Sequence, residues 1–221
     1  ARKLAHEIKN PLTPIQLTID RLKSKYSEKV ADHEKEDFSK SLLIIGKQIK
    51  QIENLVNEFS DFARMPKPIL KDNNLVSLIK DNIKLINELD DKIIIDFKAN
   101  KADIFLNSDN EQLSRVFFNL IKNSIESIQD KKIDNIDLIG RINISLNDDA
   151  EKIDFIIIDN GLGFGIFADN IKNILNPYFT TKKKGTGLGL SIVNKIINDH
   201  NGKINFISLE NGAKIEIIFT K

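Results

Sequence analysis

The chain has 221 residues, 33 basic against 32 acidic, a formal net charge of +1 and no cysteine. This length suits one large or two small domains, and the balanced, dispersed charge gives no reason to expect nucleic acid or an anionic membrane as partner. The lack of cysteine excludes disulfides, thiolate chemistry and zinc ribbons, and no apolar run approaches the roughly 18 to 20 residues that span a bilayer.

Residues 1–6 already read as mid-helix with no cap ahead of them, as expected of a fragment of a longer protein. Leu4, Ile8, Leu12, Ile15, Ile19 and Leu22 form one apolar stripe. On a helical wheel His6 lies nearly opposite that stripe, so its imidazole is expected to face solvent. Neutral imidazole is a good nucleophile near neutral pH, Glu7 beside it can orient it or take its proton, and Asn10 follows one turn on. The bland reading is an inert surface histidine. Zinc binding is disfavoured because Asn10 stands where the motif His-Glu-x-x-His needs its second histidine. Pro11 and Pro14 remove backbone donors and are expected to bend this helix just after His6.

After a polar turn from Ser27 to Asp37, apolar residues fall at Phe38, Leu42, Ile45, Ile49, Ile52, Val56 and Phe59, alternating steps of four and three. That spacing is a coiled-coil seam. Two such helices make a hairpin that covers little of its own apolar surface, so a homodimer forming a four-helix bundle is the expectation. Met65-Pro66-Lys67-Pro68 ends the second helix, which divides the chain into domains 1–66 and 67–221.

Beyond the prolines, apolar β-rich runs at Ile93–Phe97, Ile142–Leu146, Ile153–Ile158, Ile204–Ile207 and Ile215–Phe219 alternate with helical stretches near Leu75–Leu89, Glu111–Ile128 and Leu188–His200. The whole is α+β, a helical hairpin followed by an α/β sandwich. Four stretches of the second domain suit a nucleotide. Asn119 and Asn123, four apart on a helix, place amide oxygens where one can ligate a Mg²⁺ already neutralised by phosphates, although such pairs are common in an Asn-rich chain. Asp159, at a strand end, can accept the exocyclic amine of adenine, with Gly161 and Gly163 allowing close backbone approach; the rival is a plain β-turn. Asn176-Pro-Tyr-Phe-Thr-Thr-Lys182 comes third. Gly185-Thr-Gly187-Leu-Gly189 opens a helix and offers N–H groups to phosphate, without the Lys-Ser/Thr of a P-loop. The glycine-punctuated stretch from Gly161 to Gly187, with Lys182, Lys183 and Lys184, reads as a mobile lid over the phosphates.

In this order H-E-I-K-N-P-L-T-P-I, N-L-I-K-N-S-I-E, D-N-G-L-G-F, P-Y-F-T-T-K and G-T-G-L-G-L-S-I-V resemble the H, N, G1, F and G2 boxes of bacterial sensor histidine kinases, over nearly the whole chain. The junction P-Y-F-T-T-K-K-K-G-T-G-L-G-L is most similar to nitrogen-regulation sensors of the NtrB/NtrY kind. The resemblance implies His6 as phosphoacceptor, Glu7 as its acid/base partner, and Asn10 as the position that helps place water for phosphatase activity. It implies Asn123 as the Mg²⁺ ligand and Asp159 as the adenine reader, with Lys122, Lys182, Thr186, Gly187 and Leu188 where the family touches phosphates or hinges its lid. The implied fold is a dimerising hairpin joined to a gyrase-like (GHKL) ATPase sandwich. The implied partners are a second copy and the receiver domain of a response regulator, and the implied location is the cytoplasmic portion of a protein anchored in the bacterial inner membrane. Asn176 replaces the usual Glu before the proline of the F box, and Gly165 stands where Pro or an acidic residue is frequent. Asn119 occupies the place of the water-activating glutamate of the family's ATP hydrolases, which argues for transfer to His6 over free hydrolysis. The alternatives are a phosphatase-dominant or scaffold sensor core and a stand-alone ATPase of the same fold.

Overall fold

The computed structural model describes residues 2–88, 92–164, 173–180 and 185–221, with side chains from Glu7 onward. The chain folds into two compact units. One runs through Pro66 and includes the short stretch ending at Leu188; the other starts at Lys67 and resumes at Gly189.

The first unit is built on a hairpin of α1 (Arg2–Tyr26) and α2 (Lys35–Phe62). α1 continues through Pro11 and Pro14, although neither can supply the N–H that would reach back to the carbonyls of Glu7 and Asn10. Between the helices Ile19, Leu42 and Ile49 form a buried cluster, with Leu12 and Phe38 packed against it. Val56 is buried further along α2. Other seam positions are left open: Ile15, Ile45 and Ile52 are 45%, 46% and 45% exposed. Positions 42, 49 and 56 repeat every seven residues and line up on one side of α2. Ile45 and Ile52 lie three residues on, rotated by about 60° from that line.

The second unit opens with β1 (Lys71–Asn74), α3 (Leu75–Asn87), β2 (Ile94–Ala99), β3 (Phe105–Ser108) and α4 (Asn110–Asp134). It continues with β4 (Arg141–Asp148), β5 (Lys152–Asp159), α5 (Gly189–Asp199), β6 (Gly202–Leu209) and β7 (Gly212–Thr220). β1 and β3 pair antiparallel in a small sheet of their own. The main sheet has the order β2-β4-β5-β7-β6, with β2 parallel to β4 and every other neighbour antiparallel.

Strand alternation sorts the central strands into two faces. Ile142, Ile144 and Leu146 of β4, Ile153, Phe155 and Ile157 of β5, and Ile215, Ile217 and Phe219 of β7 are all buried. They meet the apolar stripe of α4, which buries Leu113, Val116, Phe117, Leu120, Ile121 and Ile128, and that of α5, which buries Ile192, Val193, Ile196 and Ile197. Phe117 and Phe155 join the layers, ring centroids 4.8 Å apart. Asp109 caps α4, accepting from the Gln112 N–H at 3.0 Å, and its second oxygen accepts from the Ile69 N–H at 2.8 Å. His200, just past α5, accepts the Asp109 N–H on Nε2 at 2.9 Å and donates from Nδ1 to the Ile196 carbonyl at 2.8 Å, joining the end of α5 to the start of α4.

Candidate nucleotide site and phosphoacceptor helix

The parity that buries Ile153, Phe155 and Ile157 also turns Asp159 toward the helices, where it is 6% exposed. Its two oxygens are held separately: Oδ1 accepts the Gly161 N–H at 2.9 Å, and Oδ2 accepts the Ser124 hydroxyl of α4 at 3.0 Å. Burial raises the Asp159 carboxyl above its usual range, against the opposing pull of the Gly161 N–H, the Ser124 hydroxyl, the Ala213 N–H and the Lys131 ammonium. A fixed, buried carboxylate with lone pairs to spare can read one donor of a flat apolar ring, as adenine recognition requires.

Gly161 is buried, and a Cβ there would lie 2.8 Å from the Ser127 backbone. Gly163 has φ +70°, and its Cβ would meet the Gly212 carbonyl oxygen of the β6–β7 turn at 2.5 Å. Both glycines are therefore required where the turn after β5 is pressed between α4 and the β6–β7 hairpin.

Asn119 and Asn123 are half-buried on the flank of α4. Asn119 Nδ2 donates to the Arg115 carbonyl at 2.9 Å, and its Oδ1 would lie 3.7 Å from a Cβ at Gly189, where α5 begins. The start of α5 thus lies against the same ridge. Lys122 is exposed and 3.8 Å from Glu126, a surface pair of little energetic weight. The ridge continues beyond the expected residues: Ser127 Oγ accepts the Leu162 N–H at 3.0 Å, and Lys131 Nζ donates to the carbonyls of Asn160 and Gly161 at 3.1 and 3.0 Å. Ser127, Lys131 and Gly212 stand outside the motifs that point to the site in the sequence, and Ser124 lies inside N-L-I-K-N-S-I-E, where the resemblance gives it no role. The step of four that links Asn119 to Asn123 also leads to Ser127 and Lys131.

Thr186 and Leu188 belong to the first unit, where the Thr186 hydroxyl donates to the Glu58 carboxylate and accepts the Leu188 N–H at 3.4 Å. Gly185 is half-buried, Gly187 has φ +70°, and Leu188 is buried. Lys182, with Lys183 and Lys184, lies outside the described residues, as does Gly165. On α1, Glu7 and Asn10 are exposed, whereas the His6 side chain is outside the described set. A groove of about 580 Å³ lies between α3 and β2, lined by Lys80, Ile83, Lys84, Asn87, Glu88 and Phe97; none of the expected site residues lines it. Among the described residues no cluster of His, Cys, Asp or Glu could hold a metal by itself. None of their helices is long and apolar enough to cross a membrane.

Two family models match: His Kinase A (phospho-acceptor) domain over residues 1–68, and Histidine kinase-, DNA gyrase B-, and HSP90-like ATPase over residues 108–221. Nitrogen regulation protein NtrY of Azorhizobium caulinodans is 39% identical over 92% of this chain and 26% of its own length. An NtrY-like sensor histidine kinase of Rickettsia felis is 37% identical over 99% of this chain and 35% of its own. The chain thus spans about a quarter to a third of these relatives. Among solved structures, histidine kinase ThkA in complex with response regulator protein TrrA is similar, with TM-score 0.69 and 29% identity over all of this chain and 60% of that one. With a phospho-acceptor domain matched ahead of an ATPase sandwich whose β5 turn is bound to α4, and with similarity to NtrY-like sensor histidine kinases, the chain belongs to the histidine kinase-, DNA gyrase B- and HSP90-like ATPase family.

Proposed function

We propose that this chain is the phosphotransfer and catalytic core of its sensor kinase, residues 1–66 carrying the phosphoacceptor and residues 67–221 the nucleotide. The reading is carried by the buried Asp159, held by Ser124 and Gly161 on the α4 ridge that also bears Asn119 and Asn123. Asp159 accepts the adenine amine, the Gly161–Gly163 turn lets backbone approach the ring, and the N–H groups that open α5 face the phosphates.

Mg²⁺ fits the site only as part of Mg·ATP, because the proposed ligand is the Asn123 amide oxygen and the described residues offer no carboxylate cluster. Bound there, the ion would neutralise charge on the transferring phosphoryl group. A neutral His6 nitrogen attacks the γ-phosphorus in line; the N–P bond forms as the bond to the β–γ bridging oxygen breaks, and ADP leaves. Glu7 takes the proton that the imidazolium sheds. Asn119 carries no carboxylate to activate water, which favours transfer to His6 over hydrolysis.

The phosphoramidate then passes to an aspartate of a response-regulator receiver domain, the kind of partner present in the ThkA complex. A second copy covers Ile15, Ile45 and Ile52 in a four-helix bundle. Asn10, exposed one turn after His6, favours a phosphatase activity on the receiver as a second output. The resemblance to full-length sensor kinases favours anchoring of the whole protein in the bacterial inner membrane, with this portion facing the cytoplasm. Incubation with γ-labelled ATP and Mg²⁺ tests the reading: the chain should acquire label that survives base and is lost in acid. A chain that binds ATP and never labels contradicts it.

A further inference from the structure

The dipole of α4 does not by itself explain Lys131, since Lys132 lies in the same last turn. What distinguishes Lys131 is its pair of acceptors. Its ammonium, half-buried, donates to the successive carbonyls of Asn160 and Gly161 at 3.1 and 3.0 Å, the two peptide units that follow the candidate adenine reader. The Asn160 side chain is committed elsewhere, donating to the Ile139 carbonyl at 2.8 Å and accepting the Arg141 N–H at 2.8 Å. Ser127, one turn before Lys131, fixes the next residue by accepting the Leu162 N–H at 3.0 Å. The Gly161 N–H in turn orients Asp159.

From this geometry we propose that Lys131 is a positioning residue for adenine recognition: it clamps the carbonyls of Asn160 and Gly161 so that the turn presents the Asp159 carboxylate in one orientation. The inference rests on the nucleotide reading given above and deepens it. Charge-assisted bonds to two successive carbonyls are stronger than neutral ones, and a carboxylate held in place discriminates between purines better than a loose one. Adenine offers a 6-amino donor to Asp159, whereas guanine presents an acceptor at that position.

Calorimetric titration of the whole chain with ADP and with GDP, both with Mg²⁺, tests this in wild type, Lys131→Met and Lys131→Arg. Lys131→Met should weaken ADP about tenfold and leave GDP nearly unchanged, so that the ratio of the two affinities falls about tenfold, while Lys131→Arg keeps most of the preference. An equal loss for both nucleotides together with a lowered melting temperature would show a merely structural lysine and overturn the proposal. So would a Lys131→Met chain with the wild-type ratio. A wild-type chain that binds no ADP would instead overturn the nucleotide reading itself, with this inference falling as its consequence.

Discussion

Asp159 and Asp109 are both tied to α4, and their environments push them in opposite directions. Burial dominates at Asp159 and raises its carboxyl, so it takes a proton at a higher pH than an ordinary aspartate. On the proposed reading adenine needs the ionised acceptor; affinity for ADP should therefore hold at neutral pH and fall with acidification, beginning above the usual carboxylate range. Asp159→Asn, which keeps the shape but presents an amide, should weaken ADP by about 1 to 3 kcal/mol and flatten that pH profile, measured by titration across pH. At Asp109 burial also acts to raise the carboxyl, but the N–H groups of Gln112 and Ile69 outweigh it and the value is lowered. A lowered folded-state value contributes stability above the ordinary carboxylate range and loses it as pH falls through the lowered value. Asp109→Ala should accordingly cost about 1 kcal/mol at neutral pH, and the gap between mutant and wild-type melting temperatures should narrow in acid.

At the scale of elements, the five apolar runs and three helical stretches of the second domain each correspond to an element, because each turns one face inward with a period visible in the residues, though in β2 that face is only half-buried. β1 and β3 are not legible in this way. Lys-Asp-Asn-Asn and Phe-Leu-Asn-Ser carry no apolar alternation and are held mainly by pairing with each other. The last turns of α4 escape the same reading because the apolar stripe ends at Ile128, while the helix runs on to place Lys131 against the β5 turn. Asp159 is legible as a strand end, but the partners that fix it, Ser124 and Gly161, depend on which face of β5 meets α4. The hairpin seam reads as one line in the sequence, whereas only Leu42, Ile49 and Val56 of the α2 line are fully buried. The uncovered line makes a prediction: Ile45→Glu with Ile52→Glu, both exposed in a single copy, should leave helix content intact and convert the dimer to a monomer by light scattering. A double mutant that remains dimeric would place the interface elsewhere.

For the whole molecule, the central claim joins chemistry carried by two units: a histidine on α1 receives the phosphoryl group from a nucleotide held on α4, β5 and α5. Motif order makes this pairing legible, since a histidine expected to face solvent on an amphipathic helix says little until Asn123, Asp159 and the glycines before α5 point to a phosphoryl donor. The most direct measurement is labelling of wild type and His6→Ala with γ-labelled ATP and Mg²⁺, with ADP affinity determined for both chains. The account predicts acid-labile, base-stable label on wild type and none on His6→Ala, with equal ADP affinity. Label persisting on His6→Ala, or a wild type that binds ATP and stays unlabelled, would contradict it.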